Sequence, residues 1–381
     1  MRHAVTAPTM ADSSGRTPGS PVGAGGAGRS TAEHPALSTT SPSNDLSLPV
    51  RMRLLTMTAP RTGPRKARMK RKLATILAMA AVIVAFMAMP SEGAITSSRL
   101  GVYVGPGKVA EENAFQKWLG RSQVDATDYL DPSENTLWNQ YATKYWGDWR
   151  KAGTDRRFVL GLPLLPKGGT FAAGLAGQYD GQFRGLADLM VKNGLGDSVI
   201  RLGYEGNNRI IGSWQGTDDP AAYRAMFRRV VTLMKARAGA AFRFDYNMAV
   251  GPAGKVTSFE TLYPGDAYVD IVGLNIYDVW WGHPGATPAQ RWNHALTTTM
   301  GVNDFKAFAT AHNKPKSYPE WGLYRKGDSY AGGGDSPYFI DRMAELVKDS
   351  TYQAYFDLDW GGGTLDDFPA GKAQYRLRFG G

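Results

Sequence analysis

The sequence has 381 residues and no cysteine, which excludes disulfides, thiolate zinc sites, anchoring through a lipidated cysteine and cysteine nucleophiles. Its formal net charge of +10 would suggest nucleic acid as a partner, but 12 of the 44 basic residues and only 4 of the 34 acidic residues lie in residues 1–94. The other 32 basic and 30 acidic residues nearly balance, so no basic binding surface is expected and nucleic acid is excluded as a partner.

The first part of the chain predicts an export segment. Residues 1–50 are rich in Gly, Pro, Ser, Thr and Ala, so we expect residues 1–64 to be a disordered extension or a misassigned start. The basic run 65–72 precedes an uncharged apolar run, 73–89, as in a secretory signal. We predict a signal over residues 65–94 and a protein that is secreted or extracytoplasmic. An apolar run of 17 residues also reaches the lower limit of a membrane span, so an uncleaved signal anchor is the alternative and the only expected membrane contact.

After residue 95, short apolar runs alternate with amphipathic stretches, which is typical of βαβ units. The eight predicted strands cover residues 100–104, 124–129, 158–162, 199–204, 242–248, 269–275, 316–319 and 354–358. The clearest predicted helices, 220–238 and 337–348, have apolar residues at three- and four-residue spacing. Residues 95–381 have about the length of one barrel, so we predict a single α/β domain with the (β/α)8 TIM-barrel fold. A doubly wound open sheet alternates in the same way and is the structural alternative.

Two glutamates stand where predicted strands meet loops. Glu205 closes the run SVIRLGYE, Glu320 lies in KSYPEWGL, and glycine follows each within two residues. The active site of such a barrel is built at the C-terminal ends of the strands, and about 115 residues between the two carboxylates correspond to about three βα units. Glycoside hydrolysis needs one carboxylic acid to protonate the leaving oxygen and a second carboxylate to attack the sugar or activate water. The pair therefore indicates a glycosidase, although a lone carboxylate at a strand end is more often a helix cap or an ion-pair partner.

Residues 95–381 resemble the retaining glycosidases whose (β/α)8 barrel carries glutamates on strands four and seven, and in particular glycoside hydrolase family 26, whose known members include β-mannanases. In that family the acid/base strand reads Arg, three residues, then Glu, as Arg201 to Glu205 (RLGYE) does here. The resemblance implies that Glu205 is the general acid/base and that Glu320 is the nucleophile of a double displacement.

The same resemblance assigns two aromatic residues. It implies that Tyr277, after the sixth predicted strand, hydrogen-bonds the nucleophile, and that Trp360, after the eighth, forms the floor beneath the sugar at the cleavage point. One position departs from the family. Immediately before the acid/base, the family usually has histidine and the wider superfamily has asparagine. In this chain the position is occupied by Tyr204. Tyrosine can still donate a hydrogen bond but is larger. The change bears on the substrate more than on the reaction, so mannanase specificity is not carried over.

Further substrate-binding candidates are polar and aromatic residues near the predicted strand ends. Sugar rings can pack their apolar faces on aromatic side chains, and polar side chains fix the orientation of the hydroxyls. The candidates are Arg201, Tyr204, Asn207, Trp214, Asn275, Trp281 and Trp321, beside Tyr277 and Trp360. The alternatives stay open, because asparagines at such positions often stabilise turns and tryptophans often pack in the core.

Other chemistries lack their motifs. The sequence has no G-x-S-x-G elbow, P-loop or H-E-x-x-H, and His283, His294 and His312 are too scattered for a triad or zinc site, so we interpret them as surface or packing residues. No metal or organic cofactor is predicted. The predicted partner is a polysaccharide or oligosaccharide (β-mannan, β-glucan, xylan or a bacterial envelope glycan), cleaved by a monomer. The alternative is a non-catalytic carbohydrate-binding barrel of the cell envelope, which would need neither glutamate.

Overall fold

The computed structural model describes residues 98–130, 141–153, 155–209, 212–326 and 331–381. The predicted extension and signal lie outside these residues. The described chain contains eight parallel strands that pair in sequence order and close on themselves between β1 and β8. They are β1 (Arg99–Tyr103), β2 (Asp125–Tyr129), β3 (Phe158–Leu162), β4 (Val199–Leu202), β5 (Arg243–Ala249), β6 (Ile271–Tyr277), β7 (Lys316–Gly322) and β8 (Tyr352–Phe356). The closed barrel confirms the predicted (β/α)8 fold and rules out the open doubly wound sheet.

Nine α-helices occur within the described ranges. They are α1 (Val109–Leu119), α2 (Tyr141–Lys151), α3 (Phe171–Leu175), α4 (Asp180–Lys192), α5 (Pro220–Lys235), α6 (Pro288–Thr297), α7 (Val302–Ala311), α8 (Pro337–Leu346) and α9 (Pro369–Phe379). Short 3₁₀ helices cover Phe259–Thr261, Asp266–Tyr268, Val347–Asp349 and Leu365–Asp367. None of the helices in these ranges is long and apolar enough to cross a membrane.

Helix α5 illustrates how the sequence places a helix against the barrel. Asp219 precedes it and accepts a hydrogen bond from the backbone N–H of Ala222 at 3.0 Å, and Pro220 occupies the first turn, where no N–H partner is needed. Its buried residues recur at three- and four-residue spacing: Tyr223, Met226, Phe227, Val230, Val231 and Met234. This apolar stripe is the face that packs toward the core.

β6 and β8 are displaced by two residues from their predicted ranges, and the strands that carry the two glutamates, β4 and β7, end at other residues than predicted. β4 ends at Leu202, two residues early, because Gly203 (φ 59°) and Glu205 (φ 50°) adopt left-handed backbone conformations. β7 continues three residues past Pro319, and its pairing with both neighbouring strands shifts register there, since proline cannot donate to the ladder. Glu205 therefore lies in the turn after its strand, whereas Glu320 lies within its strand.

The two ends of the barrel are filled differently. Near the N-terminal ends of four strands, the apolar side chains Val159, Val199 and Ile271 cluster with Tyr352. At the opposite end, four strands finish on an aromatic residue: Tyr103, Tyr129, Tyr277 and Phe356. The barrel is thus packed shut at its N-terminal end and carries an aromatic rim at its C-terminal end, where sites form in this fold.

Candidate active site

A cavity of about 450 Å³ opens at the C-terminal end of the barrel. It is lined by all four of the aromatic strand ends and by Ala249, the last residue of β5. Glu205 and Glu320 both line it. The strand order therefore brings together two carboxylates that are about 115 residues apart in the sequence.

Asn275, on β6, links the two carboxylates. Its Nδ2 atom donates to Glu205 Oε1 at 2.8 Å and to Glu320 Oε2 at 2.9 Å. The sum of these distances, 5.7 Å, is the largest possible separation between the two acceptor oxygens. Carboxyl pairs of about 5–5.5 Å are typical of retaining glycosidases and pairs of about 6.5–9.5 Å of inverting ones. The limit on this one pair of oxygens fits the first class better than the second.

Glu205 is placed to hold a proton near neutral pH. Its carboxyl is buried and accepts hydrogen bonds from Asn275 and, at 3.0 Å, from Asn208 Nδ2. Burial, followed by the negative charge of Glu320, raises the pKa of Glu205 to about 7, although the hydrogen bonds from Asn275 and Asn208 lower it. A carboxyl that is protonated at neutral pH can serve as a general acid.

Glu320 is surrounded by hydrogen-bond donors. Arg201 Nη2 and Tyr129 OH each donate to Glu320 Oε2 at 2.7 Å, beside Asn275. Tyr277 OH donates to Oε1 at 2.8 Å. These donors hold the carboxyl group of Glu320 in one orientation, as a nucleophile requires.

Arg201 is fully buried and enclosed by polar and aromatic partners. Its Nε and Nη2 atoms donate to Asn247 Oδ1 at 3.1 and 2.7 Å. Its guanidinium carbon lies 5.0 Å from the ring centre of Tyr129 and 5.7 Å from that of Tyr204, within the range of cation–π attraction. The positive charge beneath Glu320 is therefore both fixed in place and compensated.

Five of the predicted substrate-binding residues line the cavity: Tyr204, Asn275, Tyr277, Trp281 and Trp360. The ring of Trp360 lies 5.8 Å from that of Tyr277 in an edge-to-face arrangement. Tyr204, which replaces the histidine of the resembling family, packs edge-to-face on Tyr129 with ring centres 5.2 Å apart. These residues lie where a sugar ring could contact both carboxylates and an aromatic face.

Arg201 and three further predicted substrate-binding residues are not among the described residues that line the cavity. Trp321 is fully buried and donates to Gln353 Oε1 at 2.6 Å, because neighbouring residues of a strand point to opposite sides and Glu320 takes the inner one. Trp214 packs behind Tyr204 and donates to its carbonyl oxygen at 3.0 Å. Asn207 donates to the carbonyl oxygens of Ala249 and Gly251, each at 2.8 Å. It therefore stabilises the turn that carries Glu205.

Several residues that line the cavity were not among the candidates predicted from the sequence. Tyr103, Tyr129, Tyr324 and Phe356 line the cavity, and an aromatic residue within the last three positions of a predicted strand was the signal that could have identified three of them. His294, interpreted as a surface or packing residue, also lines it.

His294 forms part of an aromatic wall on one side of the cavity. Its ring is stacked on that of Trp280, with centres 4.5 Å apart, and the ring of His283 lies 3.9 Å from the same indole. Burial, and then the proximity of His283, lower the pKa of His294. Within the described ranges, no group of three or more His, Asp or Glu side chains is placed to hold a metal ion.

The loop after β6, which carries Trp280 and Trp281, is tied to the segment 331–334. Asp278 and Arg291 form a buried ion pair at 2.7 Å, with side chains 2% and 6% exposed. Backbone hydrogen bonds join Trp280 N to the carbonyl of Ala331 at 3.2 Å and Gly333 N to that of Asp278 at 2.8 Å. The aromatic wall is therefore supported by two segments rather than one.

Replacing Arg291 with alanine is expected to destabilise the fold by about 3–5 kcal/mol, because the carboxylate of Asp278 would stay buried without its partner. Urea unfolding measures the change. The matched control is Arg325→Ala, which breaks a pair with Asp359 whose side chains are 39% and 47% exposed, and which should cost less than about 1 kcal/mol. Equal losses in the two variants would contradict the importance of burial at Asp278.

Comparison with known proteins supports the fold. No protein-family model and no curated protein matches the sequence. Among solved structures, the chain is similar to a Cellulomonas fimi endo-β-1,4-mannanase double mutant, at TM-score 0.52 and 17% identity over 75% of this chain and 71% of that one. It is also similar to GH26C from Muricauda sp. MAR_2010_75, at TM-score 0.50 and 14% identity over 74% and 85% of the two chains. These structures share the barrel described above.

Proposed function

We propose that this protein is a retaining glycoside hydrolase that cleaves a polysaccharide. The observation that carries the proposal is the pair Glu205 and Glu320 in one aromatic-rimmed cavity, with two of their oxygens no more than 5.7 Å apart. The pair also differs in environment, as the acid and nucleophile roles require. Burial beside a like charge favours a proton on Glu205, whereas Glu320 is paired with Arg201. The fold shared with a C. fimi endo-β-1,4-mannanase is consistent with this chemistry.

In the first step, Glu320 attacks the anomeric carbon while Glu205 gives its proton to the departing glycosidic oxygen. The C–O bond to the leaving sugar breaks as the bond between the anomeric carbon and the Glu320 carboxylate forms. The transition state carries positive charge near the anomeric carbon, which the ionised carboxylate stabilises. Tyr277, already hydrogen-bonded to Glu320, keeps the carboxylate in its orientation.

In the second step, Glu205 is ionised after donating its proton and accepts one from a water molecule. The hydroxide equivalent attacks the anomeric carbon from the side that the leaving group vacated, and the ester bond to Glu320 breaks. Two inversions restore the starting configuration. Glu205 is then protonated again for the next cycle.

The charged groups that line the cavity favour a substrate without negative charge. The cavity lining among the described residues includes the carboxyl groups of Glu205 and Glu320 but no lysine or arginine. At an effective dielectric constant of about 20, a single carboxylate at about 5 Å would repel an anionic sugar by roughly 3 kcal/mol. The ion pair between Glu320 and Arg201 reduces this repulsion.

We therefore expect kcat/KM on β-1,4-mannan oligosaccharides to exceed that on β-1,4-mannuronate oligosaccharides of equal length by at least about 10-fold. Each sugar of the mannuronate carries a carboxylate where mannose has a hydroxymethyl group, so the comparison tests the effect of charge. The penalty should shrink as salt concentration rises if part of the site is open to solvent. If the mannan oligosaccharide is cleaved, a kcat/KM on the mannuronate that is equal or higher would contradict the proposal of a neutral substrate.

The same proposal includes export and action as a monomer. Export is supported by the basic and apolar runs at residues 65–94. Action as a monomer is supported by the cavity, to which a single chain supplies both carboxylates and the aromatic rim. Tyr204 supports a specificity different from that of enzymes with histidine at this position, so the glycan stays open among β-mannan, β-glucan, xylan and bacterial envelope polymers.

The test is a depolymerisation screen of the full chain and its Glu320→Gln variant on these four glycan classes, with products separated by chromatography. Release of oligosaccharides by the wild type alone would support the proposal and identify the polymer. Products of many sizes early in the digestion would indicate internal cleavage, and proton NMR of the first product would show whether its anomeric configuration is retained. Binding of a glycan by both proteins without cleavage would favour a carbohydrate-binding barrel instead.

A further inference from the structure

We propose that Tyr129 is a positioning residue that, with Arg201 and Asn275, occupies the Oε2 atom of Glu320 and leaves Oε1 as the atom that attacks the sugar. This inference rests on the proposed function, in which Glu320 is the nucleophile. Tyr129 is the last residue of β2 and is far from both glutamates in the sequence, so its local motif (ATDY) does not identify it. Its contacts identify it instead.

The direction of the hydrogen bond from Tyr129 is fixed by chemistry. Arg201 Nη1 lies 2.5 Å from the hydroxyl oxygen of Tyr129, and a guanidinium can only donate. The hydroxyl oxygen is therefore an acceptor toward Arg201. Its own hydrogen is free to point to Glu320 Oε2, which lies 2.7 Å away and, as a carboxylate oxygen, can only accept. The Tyr129 hydroxyl is thus held by the buried arginine in an orientation from which it donates to the carboxylate.

The two oxygens of Glu320 have unequal numbers of donors. In the described part of the chain, Oε2 accepts from Arg201, Tyr129 and Asn275, and Oε1 accepts from Tyr277. An ionised carboxylate offers about four lone-pair sites, two on each oxygen. Three donors fill the capacity of Oε2, whereas one donor leaves a lone pair on Oε1. That lone pair is the electron pair available to form a bond to carbon.

The assignment gives each oxygen one role through both steps. When the bond from Oε1 to the anomeric carbon forms and the glycosidic bond breaks, Glu205 protonates the leaving oxygen and Oε2 becomes the carbonyl oxygen of the ester. When water attacks, Glu205 takes its proton, and the electron pair of the breaking C–Oε1 bond returns to Oε1. The three donors on Oε2 remain in place throughout, so no rearrangement is needed between the steps.

The surroundings of Tyr129 hold its ring in one position. Asp128 accepts from the backbone N–H of Tyr129 at 2.7 Å and from that of Gly107 at 2.9 Å. The ring packs edge-to-face on Tyr103, with centres 4.7 Å apart. On the neighbouring strand β3, a side chain in place of Gly161 would overlap the Tyr129 ring. The hydroxyl therefore has little freedom to leave Glu320.

The experiment compares Tyr129→Phe in two backgrounds of the full chain. One is the wild type, and the other is Glu320→Ala supplied with azide, an anion that can attack the sugar from the space beside Arg201 and yield a glycosyl azide. The substrates are the 2,4-dinitrophenyl β-glycosides of mannobiose, cellobiose and xylobiose, whose leaving group needs no proton. Tyr246→Phe is the matched control, because Tyr246 is also buried and donates, at 2.7 Å, to the carbonyl of Phe259 outside the cavity.

We expect Tyr129→Phe to lower kcat by roughly 10- to 100-fold with KM within about 3-fold in the wild-type background, the effect of one lost hydrogen bond to a charged group. In the azide background the loss should be under about 3-fold, since no carboxylate remains to be positioned, and activity there also demonstrates a folded cavity. Tyr246→Phe should change neither background. Equal losses by Tyr129→Phe in both backgrounds, or no loss in the wild type, would overturn the proposal while leaving the nucleophile assignment intact. A wild type that cleaves none of the three glycosides and none of the polymers would refute the proposed function itself, and this inference with it.

Discussion

Replacing Glu320 with glutamine is expected to lower kcat on the cleaved glycan by roughly 10⁴-fold or more. Glutamine has nearly the same shape, and its amide oxygen can still accept hydrogen bonds from Arg201 and Tyr129. A neutral amide cannot form the glycosyl ester, however, and cannot stabilise the positive charge of the transition state as a carboxylate does. Steady-state rates of oligosaccharide release, measured at high protein concentration so that slow turnover is visible, test this expectation.

The control for Glu320→Gln is Glu345→Gln. Glu345 is a glutamate of α8 that pairs with Lys348 at 2.6 Å and does not line the cavity, so its replacement should leave kcat unchanged. Calorimetry on both variants should give oligosaccharide affinities within about 3-fold of the wild type, because the cavity is preserved. If Glu320→Gln kept a tenth or more of the wild-type kcat, or lost binding as much as rate, Glu320 would not be the nucleophile.

The second large effect is expected for Glu205→Ala, and it should depend on the leaving group. Hydrolysis of natural oligosaccharides should fall by about 10²- to 10⁴-fold, since their leaving oxygen needs a proton. The first step on 2,4-dinitrophenyl glycosides should fall by less than about 10-fold, because that leaving group departs as an anion. Presteady-state release of dinitrophenol, compared with the rate of oligosaccharide hydrolysis, separates the two cases.

The pH dependence follows from the same assignment. The acid must be protonated to act, and burial beside Glu320 raises the pKa of Glu205 to about 7. In the wild type, kcat/KM on natural oligosaccharides should therefore fall as pH rises through about 7, and this basic limb should be absent in Glu205→Ala. Glu111→Ala, an exposed glutamate of α1 paired with Lys108, is the control and should keep the limb. Equal losses on both substrate types, or an unchanged basic limb in the variant, would argue against Glu205 as the acid.

The fold could be predicted because its signal is spread over many residues. Eight apolar runs separated by amphipathic stretches require a parallel sheet with helices on its outside, and errors of two or three residues at strand ends do not change that conclusion. Even at β7, where Pro319 suggested an end, the strand continues because proline affects only the ladder around it. Closure into a barrel was predicted from the length of residues 95–381 and from the pair of glutamates, because the alternation itself also fits an open sheet.

The site was only partly predictable, because side-chain direction depends on register. Glu320 and Trp321 are neighbours in the sequence and take opposite sides of β7, so a pattern of nearby residues cannot assign both to the cavity. Trp214 lies nine residues after Glu205 in the sequence, but its ring packs against Tyr204 on the side away from the cavity. Conversely, Tyr129 is 191 residues away from Glu320 in the sequence and lies 2.7 Å away in the structure. Contacts made across a barrel have no local sequence signal.

The link between the loop after β6 and the segment 331–334 determines how much of the chain must be exchanged to change the substrate specificity. The carboxylates and their donors are carried by strands and the turn after β4, whereas Trp280, Trp281 and His294 are carried by the loop after β6 and the helix α6 that follows it. Specificity could therefore be exchanged as a module without altering the reacting groups. The module is larger than the loop itself, because Asp278 and Trp280 depend on backbone partners in 331–334. A transplant of 278–295 into another barrel should succeed only when its companion segment is transferred with it.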